Sequence, residues 1–300
     1  MLSRDLAVAL QLILPHRALS RIVYYATRWR FKPWKRLLIS MISRAYKVDM
    51  AHALEPDPEA YDNFNAFFTR ALREDARPLA SGDGMLVSPA DGAISQIGRI
   101  RDGRIVQAKG LDYTVAELLG GDDHLAQGYD NGGFATIYLS PRDYHRVHMP
   151  YAGWLRTSIH VPGRLFSVAQ WTAESIPRLF ARNERLVLIF ETDRGPLAMI
   201  LVGAIFVSSI ETVFDGEVTP PYAHGIRVRE YDAAQAPQFA AGDEVGRFNM
   251  GSTVIVLTNA RFHDWAHTLG ANDPVLMGQA LSKVSGPEPE PTSAPVAESQ

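Results

Sequence analysis

Leu197-Ala-Met-Ile-Leu-Val-Gly-Ala-Ile-Phe-Val-Ser-Ser-Ile210 is the longest charge-free apolar run in this 300-residue chain. A bilayer span needs about 20 apolar residues. This run is shorter and is broken by Gly203 and two serines. It reads as one or two buried strands. Outward from it, strand-like runs fall at 85–87, 93–99, 104–108, 134–139, 154–161, 185–191 and 252–257, with a strand expected over 197–206 itself. Gly, Pro and Asp clusters separate them. Short helices are expected at 63–72 and 114–119. The pattern predicts an α+β protein: amino-terminal amphipathic helices, then a mostly antiparallel β core.

The amino end has a different texture. Residues 1–50 hold ten Lys/Arg against Asp5 and Asp49, a balance of +8, whereas the remainder carries −11. A basic end on an acidic body suggests an anionic partner, lipid or nucleic acid. In residues 17–30, Leu19, Ile22, Val23, Ala26 and Trp29 fall at helical spacing, with Arg17, Arg21 and Arg28 opposite. Residues 34–48 repeat the pattern, with Leu37, Leu38, Met41, Ile42 and Ala45 facing away from Arg36, Ser40, Ser43 and Lys47. Pro33 suits the start of that helix. Such helices fit a membrane surface. A hairpin packed on the protein's own core is the plainer alternative, and nucleic acid a third, although nucleic-acid motifs are missing. Residues 7–14 could pass for the apolar part of a signal peptide, but Asp5 and Gln11 interrupt it and no clear cleavage site follows.

With no cysteine, the chain has no disulfide, thiolate metal site or cysteine nucleophile. Four strings carry chemistry: Val87-Ser-Pro-Ala-Asp-Gly92, Tyr144-His-Arg-Val-His-Met-Pro150, Val161-Pro-Gly-Arg-Leu-Phe-Ser167 and Met250-Gly-Ser-Thr253. Ser252 would sit at the mouth of a turn that opens a strand. Gly251 before it presents no side chain to block attack on its carbonyl. A serine hydroxyl needs a base, and the base an orienting acid. Asp91, His145 and His148 are candidates, yet spacing does not prove contact. Asp91 as a turn former, the histidines as polar edge residues and Gly-Ser-Thr as a plain turn are the bland readings.

In order and approximate spacing, the four strings resemble the phosphatidylserine decarboxylase family. So do Asn63-Phe-Asn-Ala-Phe-Phe-Thr-Arg-Ala-Leu72 with Arg77-Pro78, Phe180-Ala-Arg-Asn-Glu-Arg185 and residues 203–221, so the resemblance runs over about 37–257. One departure is Met250, where the family's bacterial members usually have leucine. The swap keeps size and apolarity. The resemblance implies a precursor that cuts itself between Gly251 and Ser252, with Asp91, His148 and Ser252 as the self-cleavage triad. His148 would take the serine proton while Asp91 holds the imidazole tautomer. Ser252 would become a covalent pyruvoyl cofactor, and no metal is implied. Phosphatidylserine would form an imine with it and lose CO2, giving phosphatidylethanolamine, with His145 assisting that step. Ser167 and the backbone around Gly163 are expected to line the substrate pocket. Pieces 1–251 and 252–300 are expected to stay associated at the cytoplasmic side of the cell membrane, as a peripheral enzyme on an anionic surface. A homo-oligomer is compatible with this.

The expected division is a helical membrane-association region over 1–50, a catalytic domain over 51–283, and a disordered Pro/Glu/Ser/Ala tail over 284–300. Two rivals predict an intact chain: a serine hydrolase with the same triad, and a lipid-binding protein without chemistry. His263 and His267 stand at i, i+4 but lack a third metal ligand and read as a surface helix. Asp122-Asp123-His124 reads as a solvated Gly-rich loop, and Gly103 stands alone, without a dinucleotide-binding pattern.

Overall fold

The structure, a computed structural model, describes residues 4–282 apart from 83, 109, 207–208, 221, 223 and 263–268. The expected tail over 284–300 and the His263/His267 pair lie outside the described residues.

Three helices open the chain: α1 (Arg4–Ile13), α2 (His16–Arg28) and α3 (Lys32–Tyr46), with Pro33 in the first turn of α3. The short α4 (Phe64–Phe68) starts where the Asn63 side chain accepts from the Ala66 N–H, a cap that satisfies one of the helix's free donors. The β body then begins with β1 (Leu86–Val87), β2 (Gly92–Arg99), β3 (Arg104–Ala108) and β4 (Leu111–Thr114). Thr114 and Glu117 form a reciprocal capping box at α5 (Val115–Leu119), and α6 (Asp123–Gln127) follows. Next come β5 (Gly133–Leu139), β6 (Arg146–His148), β7 (Gly153–Val161), α7 (Gln170–Ala173) and α8 (Leu179–Arg182). The middle of the body is β8 (Arg185–Thr192), β9 (Gly195–Val202), β10 (Ile210–Thr212), β11 (Gly216–Thr219) and β12 (Arg227–Glu230). Last are β13 (Gln238–Phe239), β14 (Glu244–Phe248), β15 (Ser252–Thr258), β16 (Pro274–Val275) and β17 (Ala280–Ser282).

The main sheet runs β12-β7-β8-β9-β15-β5-β2-β16, with β13 also on β7, and every pairing in it is antiparallel. A second antiparallel sheet runs β11-β10-β14-β6. The α+β expectation therefore holds. Residues 187–190, 197–202 and 254–257 are buried without alternation because their strands are covered on both faces. The expected 197–206 strand ends at Val202. A Cβ on Gly203 would crowd the Glu184 carbonyl at 3.1 Å and Leu165 at 3.2 Å, and the chain turns away there. The acidic 122–124 stretch is not a loop: Asp122 caps α6 by accepting from the Leu125 N–H.

The amino-terminal helices face the body with polar groups as well as with Val8, Leu38, Ile39 and Ile42. Gln11, His16, Ser20, Thr27 and Lys35 are buried, whereas Leu12, Ile13, Ile22, Tyr25, Trp29, Leu37 and Met41 are exposed. The basic face also meets the body, through Arg17–Glu184 at 3.6 Å, Arg28–Glu217 at 2.7 Å and Arg36–Glu59 at 2.7 Å. Part of the charge asymmetry is thus answered within the chain. In α3, Leu38, Ile39 and Ile42 pack on the α4 phenylalanines while Leu37 and Met41 are exposed, so the apolar stripe is divided between the body and the surface.

Candidate active site

Strand register gathers the chemical strings at one end of the main sheet. Val161 stands opposite Arg185, Arg185 opposite Val202, Val202 opposite Thr253, and Thr253 opposite Tyr138, which also faces Ala93. The stretches 88–92, 139–148, 161–167, 183–184 and 250–252 all emerge there. Side chains directly opposite share a face and alternate along a strand. Arg185 and Thr253 therefore point one way, and Glu184 and Ser252 the other.

Ser252 opens β15 opposite Leu139 and is fully buried, and its Oγ has no hydrogen-bond partner. The junction before it is tied down residue by residue. Phe248 N–H donates to the His145 carbonyl at 3.0 Å, Asn249 N–H to the Ser209 carbonyl at 3.0 Å, and Asn65 Nδ2 to Asn249 Oδ1 at 2.9 Å. Met250 packs on the α4 phenylalanines with φ at 139°, a backbone state that glycine favours. Strain of this kind costs about 1–3 kcal/mol and persists only where the surroundings enforce it. A Cβ at Gly251 would meet the Leu139 carbonyl at 3.5 Å and Pro141 at 4.0 Å, ordinary contacts. The case for glycine at 251 thus rests on the approach of the Ser252 hydroxyl and not on packing.

Asp91 lies across β5 from Ser252, at the head of β2. Arg77 grips its carboxylate, Nη2 donating to Oδ2 at 2.6 Å and Nε to Oδ1 at 2.9 Å, and the Met277 N–H donates to Oδ1 at 2.8 Å. His148 Nδ1 donates to the Gly242 carbonyl at 2.8 Å, since a carbonyl can only accept. Its Nε2 accepts from the Tyr144 hydroxyl at 2.9 Å. The Gly242 carbonyl, and not Asp91, therefore fixes this tautomer. No hydrogen bond joins any two of Asp91, His148 and Ser252 among the described residues. Burial lowers the His148 pKa, and the Asp91 charge pulls weakly the other way.

His145 directly precedes β6, and its carbonyl accepts from the Phe248 N–H of β14. Its ring lies 4.0 Å from that of Phe68, Nδ1 donates to the Asp143 carbonyl at 2.8 Å, and the buried Nε2 has no partner. Burial pushes its pKa down to about 3, helped by the Arg70 charge. Both histidines are neutral at pH 7, with Nε2 as the basic atom.

The site thus has Ser252 at the head of β15, Asp91 just before β2, and both histidines on the 144–148 segment, whose ladder partner β14 leads into the Met250–Gly251 junction. No hydrogen bond joins Ser167 to any of them among the described residues. Its N–H donates to Gln11 Oε1 of α1 at 2.8 Å, and its hydroxyl serves the turn into α7. Arg77, Tyr144, Gly242 and Phe68 were not expected. Arg77, Phe68 and Tyr144 lie inside the strings that stood out, but a backbone carbonyl at Gly242 leaves no sequence signal. Among the described residues, no group of three or more His, Asp or Glu is placed to hold a metal ion.

Residues 64–283 match the family model described as phosphatidylserine decarboxylase, and residues 6–47 one described as PSD. A phosphatidylserine decarboxylase proenzyme of Alkalilimnicola ehrlichii is 59% identical over 256 residues, covering 85% of this chain and 89% of the relative. Proenzymes of the same name from Pseudomonas fluorescens Pf-5 and Pseudomonas aeruginosa LESB58 are 53% and 54% identical. They cover 93% and 92% of this chain, and 98% and 96% of their own length.

Proposed function

The chain belongs to the phosphatidylserine decarboxylase family, and from that membership we propose that it cuts itself before Ser252 and works through a pyruvoyl group made from that serine. It is an enzyme that decarboxylates phosphatidylserine, and phosphatidylethanolamine is the product. The observation that carries the self-cleavage reading is the buried, unpartnered Ser252 Oγ beside the strained Met250–Gly251 junction. Ser252 Oγ attacks the Gly251 carbonyl, and the amide becomes an ester. Loss of the Ser252 α-proton and the Gly251 carboxylate leaves dehydroalanine, and water then releases ammonia and leaves a ketone.

His148 is the base we assign to the Ser252 proton, with Asp91 acting on it through its charge. For this, Nε2 exchanges its Tyr144 contact for the serine hydroxyl. The pyruvoyl group supplies a carbonyl that draws off the electron pair left when CO2 departs. His145 Nε2, the ring's basic atom, takes a proton from the substrate ammonium and returns it to the substrate Cα after CO2 has left. Water exclusion comes from the packing of Phe64, Phe67 and Phe68 under this end of the sheet.

No helix among the described residues is long and apolar enough to cross a membrane. We assign α1–α3 to a peripheral position on the cytoplasmic face of the cell membrane, because Leu12, Ile13, Ile22, Tyr25, Trp29, Leu37 and Met41 are exposed there among basic side chains. An intact mass of the purified protein tests the central claim. Two pieces, 1–251 and 252–300, are expected, the second lighter than its sequence by roughly one ammonia and blocked to Edman degradation. Ser252→Ala stays whole. A single uncut mass for active protein would refute self-cleavage and favour a hydrolase of ordinary type.

A further inference from the structure

A second feature at this end of the sheet has no part in the chemistry above. A cavity of about 530 Å³ opens where α1 turns into α2, lined by residues 14–18 on one side and 163–165 on the other. Leu14, Pro15, Ala18 and Leu165 make it apolar. His16, Arg17 and Arg164 make it basic.

His16 is only 4% exposed, and neither ring nitrogen has a partner. Its ring stands edge-on to Phe166 at 5.4 Å, so packing fixes its direction. A buried polar side chain left without a partner costs about 1–3 kcal/mol and requires an explanation. Burial and the Arg164 charge both lower the His16 pKa, and Arg17 is shared with the Glu184 carboxylate at 3.6 Å. Arg164 Nη2 reaches the Leu12 carbonyl at 2.5 Å, and Arg17 reaches the Gly163 carbonyl at 3.5 Å, so both guanidinium groups are held at the cavity.

The cavity is joined to the reaction centre by one layer of packing. Leu165 lies against Gly203, and Gly203 follows Val202, whose strand partner Thr253 is the chain neighbour of Ser252. On the outer side the cavity meets the exposed Leu12 and Ile13, part of the apolar face of the helices. In phosphatidylserine four bonds separate the amine nitrogen from phosphorus, about 5 Å when extended. A phosphodiester held on the Leu165 side of residue 252 faces this cavity, with the acyl chains toward the apolar rim.

We propose that His16, Arg17 and Arg164 form the subsite that binds the phosphodiester and glycerol part of the phospholipid substrate. The assignment rests on the decarboxylase reading. Wild-type cleavage and decarboxylation test that reading separately, before any variant is compared.

His16→Phe keeps the ring contact with Phe166 and removes both nitrogens, and Arg164→Gln removes the charge. Each is expected to cut itself fully and to raise KM for phosphatidylserine in mixed micelles about ten- to a hundredfold. That is the range for losing a hydrogen bond to a charged group. kcat should stay within about threefold, because the reacting atoms are untouched. His16→Gln, which restores a donor, recovers most of the loss. Ala18→Trp, on the exposed side of the cavity, raises KM more for long-chain than for short-chain phosphatidylserine. Inorganic phosphate competes poorly, since the lipid also fills the apolar wall. Unchanged KM in both His16→Phe and Arg164→Gln overturns the subsite, as does equal loss in His16→Gln and His16→Phe. Strong competition by phosphate alone would mark a free-anion site instead and overturn the lipid assignment.

Discussion

At the scale of single residues, the two histidines of one short segment are held differently. His148 has both nitrogens engaged, by Gly242 and Tyr144, and lies toward Asp91. His145 has one nitrogen engaged, by the Asp143 carbonyl, and the other without a partner. His148→Ala is expected to leave the chain whole and without cofactor, as triads missing their base lose several orders of magnitude in rate. His145→Ala should cut itself and then decarboxylate about 10²–10⁴-fold more slowly. Gels for cleavage and lipid chromatography for product separate the outcomes, and the reverse pattern would exchange the two roles. His145 also makes a pH prediction. Its folded pKa of about 3 lies below the ordinary 6.5, so between these values the unfolded chain takes up a proton that the folded chain refuses. The stability this group allows above pH 6.5 is therefore lost as pH falls through that window. In a Ser252→Ala background, urea midpoints should fall from pH 7 to pH 5 more steeply for wild-type His145 than for His145→Asn. Equal slopes would mean that water reaches the ring. The sequence showed both histidines, Asp91 and Ser252 because each stands in a distinctive string. It could not show that Arg77 takes Asp91, or that a carbonyl 94 residues away orients His148, because side-chain contacts across the sheet carry no local pattern.

At the scale of elements, the legible parts were those with a strong period. Expected strands over 93–99, 104–108, 134–139 and 252–257 lie within a residue of β2, β3, β5 and β15 at each end. β12 escaped notice because all four of its residues are exposed and three are charged, so no alternation marks it. α7 and α8 are four residues each, too short for a helical stripe. The amphipathic helices were visible, but which face would meet the body was not. Reading the arginines as lipid-facing misses that Arg17, Arg28 and Arg36 pair with the body's own carboxylates. The apolar face should then dominate membrane affinity. Replacing Ile22, Trp29 and Met41 together by Ser is expected to release the protein from anionic vesicles in a sedimentation assay. Arg21→Glu should weaken binding only modestly, and salt should do the same. Full release by salt with the triple variant still bound would show that charge, not burial of apolar surface, holds the protein there.

At the scale of the whole molecule, the position of β15 decides what cleavage can do. All seven of its residues pair with β5, and 253–258 also pair with β9. The carboxyl piece further supplies β16 to the main sheet, β17 to β1 and the Met277 N–H to Asp91. After the cut, both pieces should elute together under native conditions and unfold in one transition, separating only in denaturant. Dissociation at high dilution without unfolding would contradict this. The same placement has a consequence for upkeep. A chain begun by the ribosome at residue 252 would bring an amine to the head of β15, and a ketone can arise there only from an internal serine in a sheet already assembled. On this reading, each polypeptide is provisioned once, at birth, and only after it has folded correctly. A molecule whose ketone is spent in a side reaction takes no replacement from the medium. Its working life ends there, and the cell restores the activity by translation alone.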